Sequence, residues 1–245
     1  MNAVVSTITQ LLPAEIISTD PEQITLYSQD VFTVGPPICA VVRPRYIDEV
    51  QALVRACLER GTPIVTRGGG MSYTSGYIAS APDSVLIDMA SMDAIVEVNL
   101  EDRYVTVEAG CSWQKLHEHL APLGVRTAYW GTLSGRYATV GGGLSQNSIF
   151  WGSGQSGTAA DNVLSVSVVT GKGDLLETGS AAQQHAAPFT RHFGPDLTGV
   201  FLGDCGALGI KVRATLPMVP LAGAKGYTSF AFEESGPMLR AMAQI

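Results

Sequence analysis

Chemistry in this chain would have to start from glycine. RGGGMS at 67–72, GTLSGRYA at 131–138, TVGGGLSQNS at 139–148 and GDCGALGI at 203–210 are the segments whose residue types stand out. Glycine reaches backbone conformations closed to other residues and lets a ligand approach the main chain without meeting a Cβ. Successive N–H groups in such turns form concave anion sites that can hold a pyrophosphate without formal positive charge. The net charge is −7, so an anionic ligand must be held largely by backbone N–H groups rather than by Lys and Arg. Arg67 has two readings, phosphate neutraliser or solvent-facing strand end. A Walker A loop and a Rossmann fingerprint are both set aside as readings. Several glycine clusters spread over strand-rich sequence call for a long ligand, and a dinucleotide fits.

The elements that must position these turns follow from periodicity. ICAVV at 38–42 reads as a short buried strand between Pro37 and Pro44. From Asp48 to Arg60 the residues Val50, Leu53, Val54, Cys57 and Leu58 recur at helical spacing, and Gly61 supplies the stop. PIVTR (63–67) and SVLIDM (84–89) are strands, which puts the first glycine loop at the end of the second strand of a strand-helix-strand unit. AIVEV (94–98) and YVTVEA (104–109) alternate as half-buried strands. Ser112 caps a helix through Leu123, with Gly124 beyond it. VLSVSVVT (163–170) and LLETG (175–179) form a hairpin across GKGD. A short helix and glycine turn in DLTGVFLGDCGALG precede a further strand at 210–217. PMVPLAG closes this unit, and GYTSFAFEESGPMLRAMAQI (226–245) reads as a new strand and helix.

Residues 131–160 hold eight glycines, five serines and three threonines, with Arg136 the only formal charge. Leu133, Tyr137, Val140, Leu144, Ile149, Phe150 and Trp151 interrupt the stretch, which favours an ordered loop over a solvated linker. Trp130, Phe150 and Trp151 flank it and either shield a bound ring system or simply pack. His117 and His119 read as a helix edge, and His185 and His192 as surface. No metal is expected from them, since no ligand spacing is present. Cys39, Cys57, Cys111 and Cys205 are scattered and read as reduced, mostly buried thiols. The acidic balance argues against nucleic acid, and no stretch is apolar enough to span a membrane. No Lys or Arg precedes Arg43, so a secretory signal is not read and a cytoplasmic location is expected.

At these residues the chain resembles the FAD-binding domains of the vanillyl-alcohol oxidase and p-cresol methylhydroxylase type (PCMH-type), closest to glycolate oxidase and D-lactate dehydrogenase flavoproteins. The resemblance covers roughly residues 20–220 and runs in order through YSQD (27–30), VVRPRYIDEVQALV (41–54), PIVTRGGGMSYTSG (63–76), VLIDMASMDAIVEV (85–98), VTVEAGCSWQKLHEHL (105–120), ATVGGGLSQNS (138–148), DNVLSVSVVTGKGDLLETG (161–179) and GDCGALGIKVRATLPMVP (203–220). It implies an α+β fold of two α/β subdomains, a small mostly parallel sheet (about 20–92) and then a larger mostly antiparallel one (93–220), with FAD between them. Residues 221–245 would begin a truncated substrate (cap) domain.

By the same resemblance Gly68, Gly69, Gly70, Met71 and Ser72 match the first phosphate loop, with Arg67 beside it. Ala138, Thr139, Gly141 and Gly142 match a second loop beside pyrophosphate and flavin. Ser145, Gln146 and Asn147 match a following contact segment, and Gly206, Gly209 and Ile210 match a last one. Members with covalent flavin have His where this chain has Met71 and Cys where it has Tyr137, so non-covalent FAD is implied. Tyr46 stands where the family often has a capping Ser or Thr, leaving Asp48 to serve the first turn, and Cys205 replaces a frequent Glu. The implied function is a flavin-dependent oxidoreductase that oxidises a small hydroxy acid or alcohol by hydride transfer to the flavin, this portion alone being weakly active or inactive. The alternative is a flavin-binding module or subunit completed by a separate substrate domain or chain. No catalytic residue is assigned, a small-molecule substrate and the missing cap or partner chain are the partners, and homo-oligomerisation stays open.

Overall fold

The computed structural model describes residues 2–129, 134–149, 152–224 and 226–244. Helix α1 (Ala3–Leu11) opens the chain, capped by the Asn2 side chain accepting from the Val4 N–H at 3.1 Å. Strand β1 (Ile17–Ser18) and helix α2 (Pro21–Tyr27) follow, the latter with Asp20 at its N-cap and Pro21 in its first turn. The sequence reading passed over both helices, although Asp followed by Pro is a helix-start signal. Val4, Val5 and Ile8 of α1 are buried in the same core as Val50, Leu53, Val54 and Cys57, so residues before 20 pack with the first subdomain.

Strand β2 (Ala40–Val42), helix α3 (Ile47–Glu59) and strands β3 (Ile64–Arg67) and β4 (Val85–Asp88) complete this unit. The sheet order is β1-β2-β4-β3; β4 runs parallel to both its neighbours, and only β1 is antiparallel. All four residues of β4 are buried, as a strand covered on both faces must be. Tyr46 caps α3 with no side-chain bond, and Asp48 accepts from the Glu49 N–H in the first turn instead.

The second unit holds β5 (Ile95–Asn99), β6 (Tyr104–Glu108), α4 (Trp113–Leu120), β7 (Val125–Thr127), α5 (Val140–Ser145), α6 (Ser153–Ser156), β8 (Ser165–Val169), β9 (Leu175–Glu177), α7 (Leu197–Val200) and β10 (Ile210–Pro220). Its sheet is antiparallel in the order β5-β6-β10-β8-β9, with β7 on the far end of β10. The architecture is therefore the expected α+β pair of sheets, the first mostly parallel and the second antiparallel. Helices α4 and α5 bury Trp113, Leu116, Leu120 and Leu144 against Val105, Val107, Val166 and Leu216. Ser112 caps α4 by accepting from the Lys115 N–H, and Gly124 takes the left-handed conformation that ends the turn after it.

The two sheets are tied together. Val169, Ile210 and Val212 of the second sheet belong to the core of the first unit. The β8–β9 turn is clamped to α3 by Gln51 and Arg55, both donating to the Gly173 carbonyl at 2.8 Å. Among the described residues no helix is long and apolar enough to cross a membrane. One expected element is missing: the described residues 226–234 form no strand, and only α8 (Ser235–Met242) follows. A strand needs a partner for its ladder bonds, and Tyr227, Phe230 and Phe232 are exposed with none beside them.

Candidate cofactor site

Strands β3 and β4 end side by side at Arg67 and Asp88, so the loop leaving β3 opens at the carboxyl edge of a parallel sheet. This loop is the first glycine turn. None of the N–H groups of residues 68–72 donates to a protein acceptor among the described residues. Gly70 has φ 68, a left-handed conformation that a β-carbon would strain. The Tyr77 hydroxyl donates to the Gly70 carbonyl at 3.0 Å, and Ser72 Oγ accepts from the N–H groups of Thr74 and Gly76. The result is a fixed turn with a row of donors unused among the described residues, the arrangement that suits a pyrophosphate.

The second glycine segment is not the loop that its composition suggests. Thr139 caps α5, accepting from the Gly142 N–H at 3.2 Å, and residues 140–145 are helical. The N–H groups of Val140 and Gly141 already donate to the carbonyls of Cys111 and Ala109, both at 2.8 Å. Here glycine serves close approach: a Cβ at Gly141 would lie 2.7 Å from Ala109 Cβ, and one at Gly143 would lie 3.1 Å from the Trp113 ring nitrogen. The third segment hangs on the end of this helix, with the Gly203 and Cys205 N–H groups donating to Leu144 and Ser145, both at 2.9 Å. The first loop closes on the second as well, since an added Cβ at Gly69 would overlap the Tyr137 carbonyl and one at Gly68 would overlap Thr139 Oγ1.

Three turns far apart in sequence thus converge on one cavity of about 630 Å³, in the range of small-molecule and cofactor pockets. Gly68, Gly69, Gly70, Met71, Ser72, Ala138, Thr139, Gly141, Gly142, Ser145, Gln146, Gly206 and Gly209 all line it. Arg67, Asn147 and Ile210 do not. The half-buried Arg67 guanidinium lies 4.5 Å from the Tyr27 ring centre and 5.3 Å from that of Tyr77, packed on these rings rather than among the residues that line the cavity. Asn147 has φ 45 and its Oδ1 accepts from the Ala160 N–H at 3.0 Å, which makes it a turn residue. Ile210 points into the core. Trp130, Phe150 and Trp151 lie outside the described residues.

Sequence reasoning missed several lining residues. Thr66, Tyr77, Met89 and Ala109 come from strand ends and turns that carry no glycine signal. Lys211 is the largest omission. It sits between Ile210 and Val212 on β10, is 4% exposed, and donates to Asp204 Oδ1 at 2.6 Å. Burial lowers its pKa, and the hydrogen bond and charge of Asp204 oppose that shift. Cys205 also lines the cavity, with φ 52, and is exposed, unlike Cys57 and Cys111. His119, His185 and His192 are exposed, His117 is half-buried, and none of the four lines the cavity. Among the described residues no three His, Cys, Asp or Glu gather as metal ligands. The Rossmann reading needs a correction as well, because GSGQSG at 152–157 does fit G-x-G-x-x-G. Ser153–Ser156 of this stretch form α6, no strand leads into it among the described residues, and none of its residues lines the cavity, so that reading fails on context rather than on pattern.

Comparison with known proteins supplies an independent line. Residues 38–179 match the FAD binding domain family. D-lactate dehydrogenase [cytochrome], mitochondrial, of Arabidopsis thaliana is 34% identical over 176 residues, covering 72% of this chain and 29% of that protein. Glycolate oxidase subunit GlcD of Bacillus subtilis is 30% identical over 181 residues, covering 74% and 37%. D-2-hydroxyglutarate dehydrogenase of Xanthomonas citri pv. viticola is 30% identical over 216 residues, covering 84% and 42%. The chain thus spans about a third of the length of these curated relatives. Among solved structures, p-cresol methylhydroxylase with substrate bound superposes with a TM-score of 0.77 at 20% identity, over 90% of this chain and 44% of that one. An alkyldihydroxyacetonephosphate synthase gives the same score at 21% identity, over 90% and 41%. At such identities the superpositions speak for the fold.

Proposed function

Since this chain belongs to the FAD binding domain family, we propose that it is the FAD-holding part of a flavin-dependent oxidoreductase acting on a small 2-hydroxy acid. The observation that carries the proposal is the convergence of the 68–72, 138–146 and 205–209 turns on one cavity, the first of them with N–H groups that donate to no acceptor among the described residues. FAD held by these residues would supply the redox chemistry, namely a hydride acceptor for the hydroxyl-bearing carbon. The residues of this chain bind and orient. Gly68 to Ser72 offer donors to the diphosphate, Gly142 keeps a β-carbon out of the path of the dinucleotide, and Gly141 lets α5 pack against Ala109. Tyr77 and Arg67 hold the first loop in shape. The curated relatives named for D-lactate, glycolate and D-2-hydroxyglutarate chemistry support the hydroxy-acid class.

FAD is held non-covalently in this reading, because Met71 and Tyr137 stand where a linking His or Cys would be needed. Residues 1–220 form the cofactor domain and residues 221–245 lead into a substrate domain that supplies the base. The chain purified alone should bind FAD with the absorbance of an oxidised flavin, and acid precipitation should leave that flavin in solution. The longer protein that contains this domain should have its flavin reduced by D-lactate, glycolate or D-2-hydroxyglutarate. Lack of FAD binding would sink the cofactor assignment, and a flavin that none of these acids reduces would sink the substrate class.

A further inference from the structure

Lys211 carries the only formal charge among the described residues that line the cavity. Its ammonium is buried and paired with an Asp204 side chain that is 2% exposed. Asp204 has other partners: Oδ1 accepts from the Gly206 N–H at 3.0 Å as well as from Lys211, and Oδ2 accepts from the Leu208 N–H at 3.2 Å. The carboxylate therefore has a structural task, shaping the 204–208 turn. An isolated ammonium does not stay buried without a counter-charge, and a buried ion pair kept only for stability is often replaced as a whole by apolar residues at no loss. This one is kept at the wall of a cavity whose other lining groups are uncharged.

FAD carries formal charge at neutral pH only on its diphosphate. We propose that Lys211 is the charge contact for that diphosphate, held ready by Asp204 and shared with the cofactor when FAD enters. The inference rests on the FAD reading above. It assigns different work to the two halves of the ion pair: Asp204 repels the dianion and positions the lysine, while Lys211 attracts it. A purely structural pair would leave FAD affinity indifferent to the lysine once Asp204 has been replaced.

The test is ligand affinity, read by flavin fluorescence for FAD and riboflavin and by calorimetry for ADP, with a thermal melt for each protein. The variants are Lys211→Met, Asp204→Asn and the double variant. The double variant buries no unpaired charge and keeps the comparison alive if Lys211→Met alone fails to fold. Asp204→Asn and the double variant share every turn defect and differ only in the lysine. The double variant should bind FAD and ADP about 10- to 100-fold more weakly than Asp204→Asn, the size of one charge-assisted hydrogen bond, with riboflavin unchanged. Equal FAD affinity in these two variants would overturn the proposal. Loss of riboflavin binding with ADP unaffected would overturn it too, by moving the contact to the flavin ring. Wild-type protein that binds no FAD would instead overturn the parent reading and take this inference with it.

Discussion

Gly141 and Gly142 are neighbours on α5, yet the structure requires them to fail in opposite ways when a methyl group is added. A Cβ at Gly142 would meet only Thr139 Oγ1, at 3.1 Å, and Gly142 lines the cavity, so the methyl faces open cavity space. Alanine in a helix is favoured over glycine by roughly 0.8–1 kcal/mol. A slight retreat of the Thr139 cap offsets part of that gain. The melting temperature of Gly142→Ala should therefore stay within about 3 °C of wild type, at roughly 2–4 °C per kcal/mol for a chain of this size. Binding should suffer, because a methyl in the path of a close-fitting ligand costs about 1–3 kcal/mol, or roughly 5- to 150-fold in Kd.

Gly141→Ala reverses the pattern. Its Cβ would stand 2.7 Å from Ala109 Cβ and 2.9 Å from the Ala109 carbonyl oxygen, well inside the roughly 3.5 Å at which such atoms settle. Neither neighbour can swing away, since Ala109 is held by its N–H donating to the Val212 carbonyl at 3.0 Å. Overpacking of this kind costs about 1–3 kcal/mol, so the melt should fall by several degrees before any cofactor is added. The assays are thermal denaturation of the cofactor-free proteins and fluorescence titration with FAD. A Gly142→Ala protein that binds FAD with wild-type affinity would refute the placement of the dinucleotide against α5. Gly154→Ala on α6 is the control: nothing lies within 4 Å of an added Cβ there, so the melt should not fall and FAD affinity should be unchanged.

Three further outcomes follow from the same geometry. Burial pushes the Cys57 thiol up to about 12 and those of Cys39 and Cys111 to about 11, while Cys205 is exposed in the cavity. A thiol reagent at mildly alkaline pH should label Cys205 first, and saturating FAD should protect it; rapid labelling of Cys57 or Cys111 would contradict their burial. Arg67→Met removes the guanidinium stacked over Tyr27 and Tyr77, contacts worth about 0.5–2 kcal/mol each. It should lower both the melt and FAD affinity, and an unchanged melt would show that the loop does not rest on Arg67. Hydrogen bonds hold the Asp161 and Asp196 carboxyls below the usual value, from Thr158 in the first case and Arg191 in the second. A depressed folded pKa contributes stability that is present above the unfolded value near 3.8 and disappears as pH falls below it. The melt should begin to drop at about pH 4 and keep dropping as pH falls through the lowered folded values, and Asp196→Asn should flatten that drop.

How much of this was legible beforehand depended on whether the signal was local. Helix α3 could be read from Val50, Leu53, Val54 and Cys57, because one buried face imposes its period on the sequence. Strands β3 and β4 and the β8–β9 hairpin were legible for the same reason, as short apolar runs bounded by turn residues. Helix α5 was not. Three consecutive glycines are poor helix formers, and only the Thr139 cap, the carbonyls of Ala109 and Cys111, and the packing around Trp113 make those residues helical. The expected strand at 226–234 failed for the complementary reason, since apolar residues make a strand only where a neighbouring edge accepts their hydrogen bonds.

The sequence by itself determined that an extended anionic ligand would be met by glycine turns, because side-chain absence is a property written residue by residue. Tertiary structure alone decided which turns keep their N–H groups free, as at 68–72, and which use them internally, as at 140–143. It also decided that Arg67 packs on Tyr27 and Tyr77 while Lys211 lines the cavity. Both are cations in largely apolar strand sequence, and nothing in that local sequence says which one meets the cavity. Their difference arises only when two sheets come together and a carboxylate 7 residues away in the chain, Asp204, folds back to stand beside one of them.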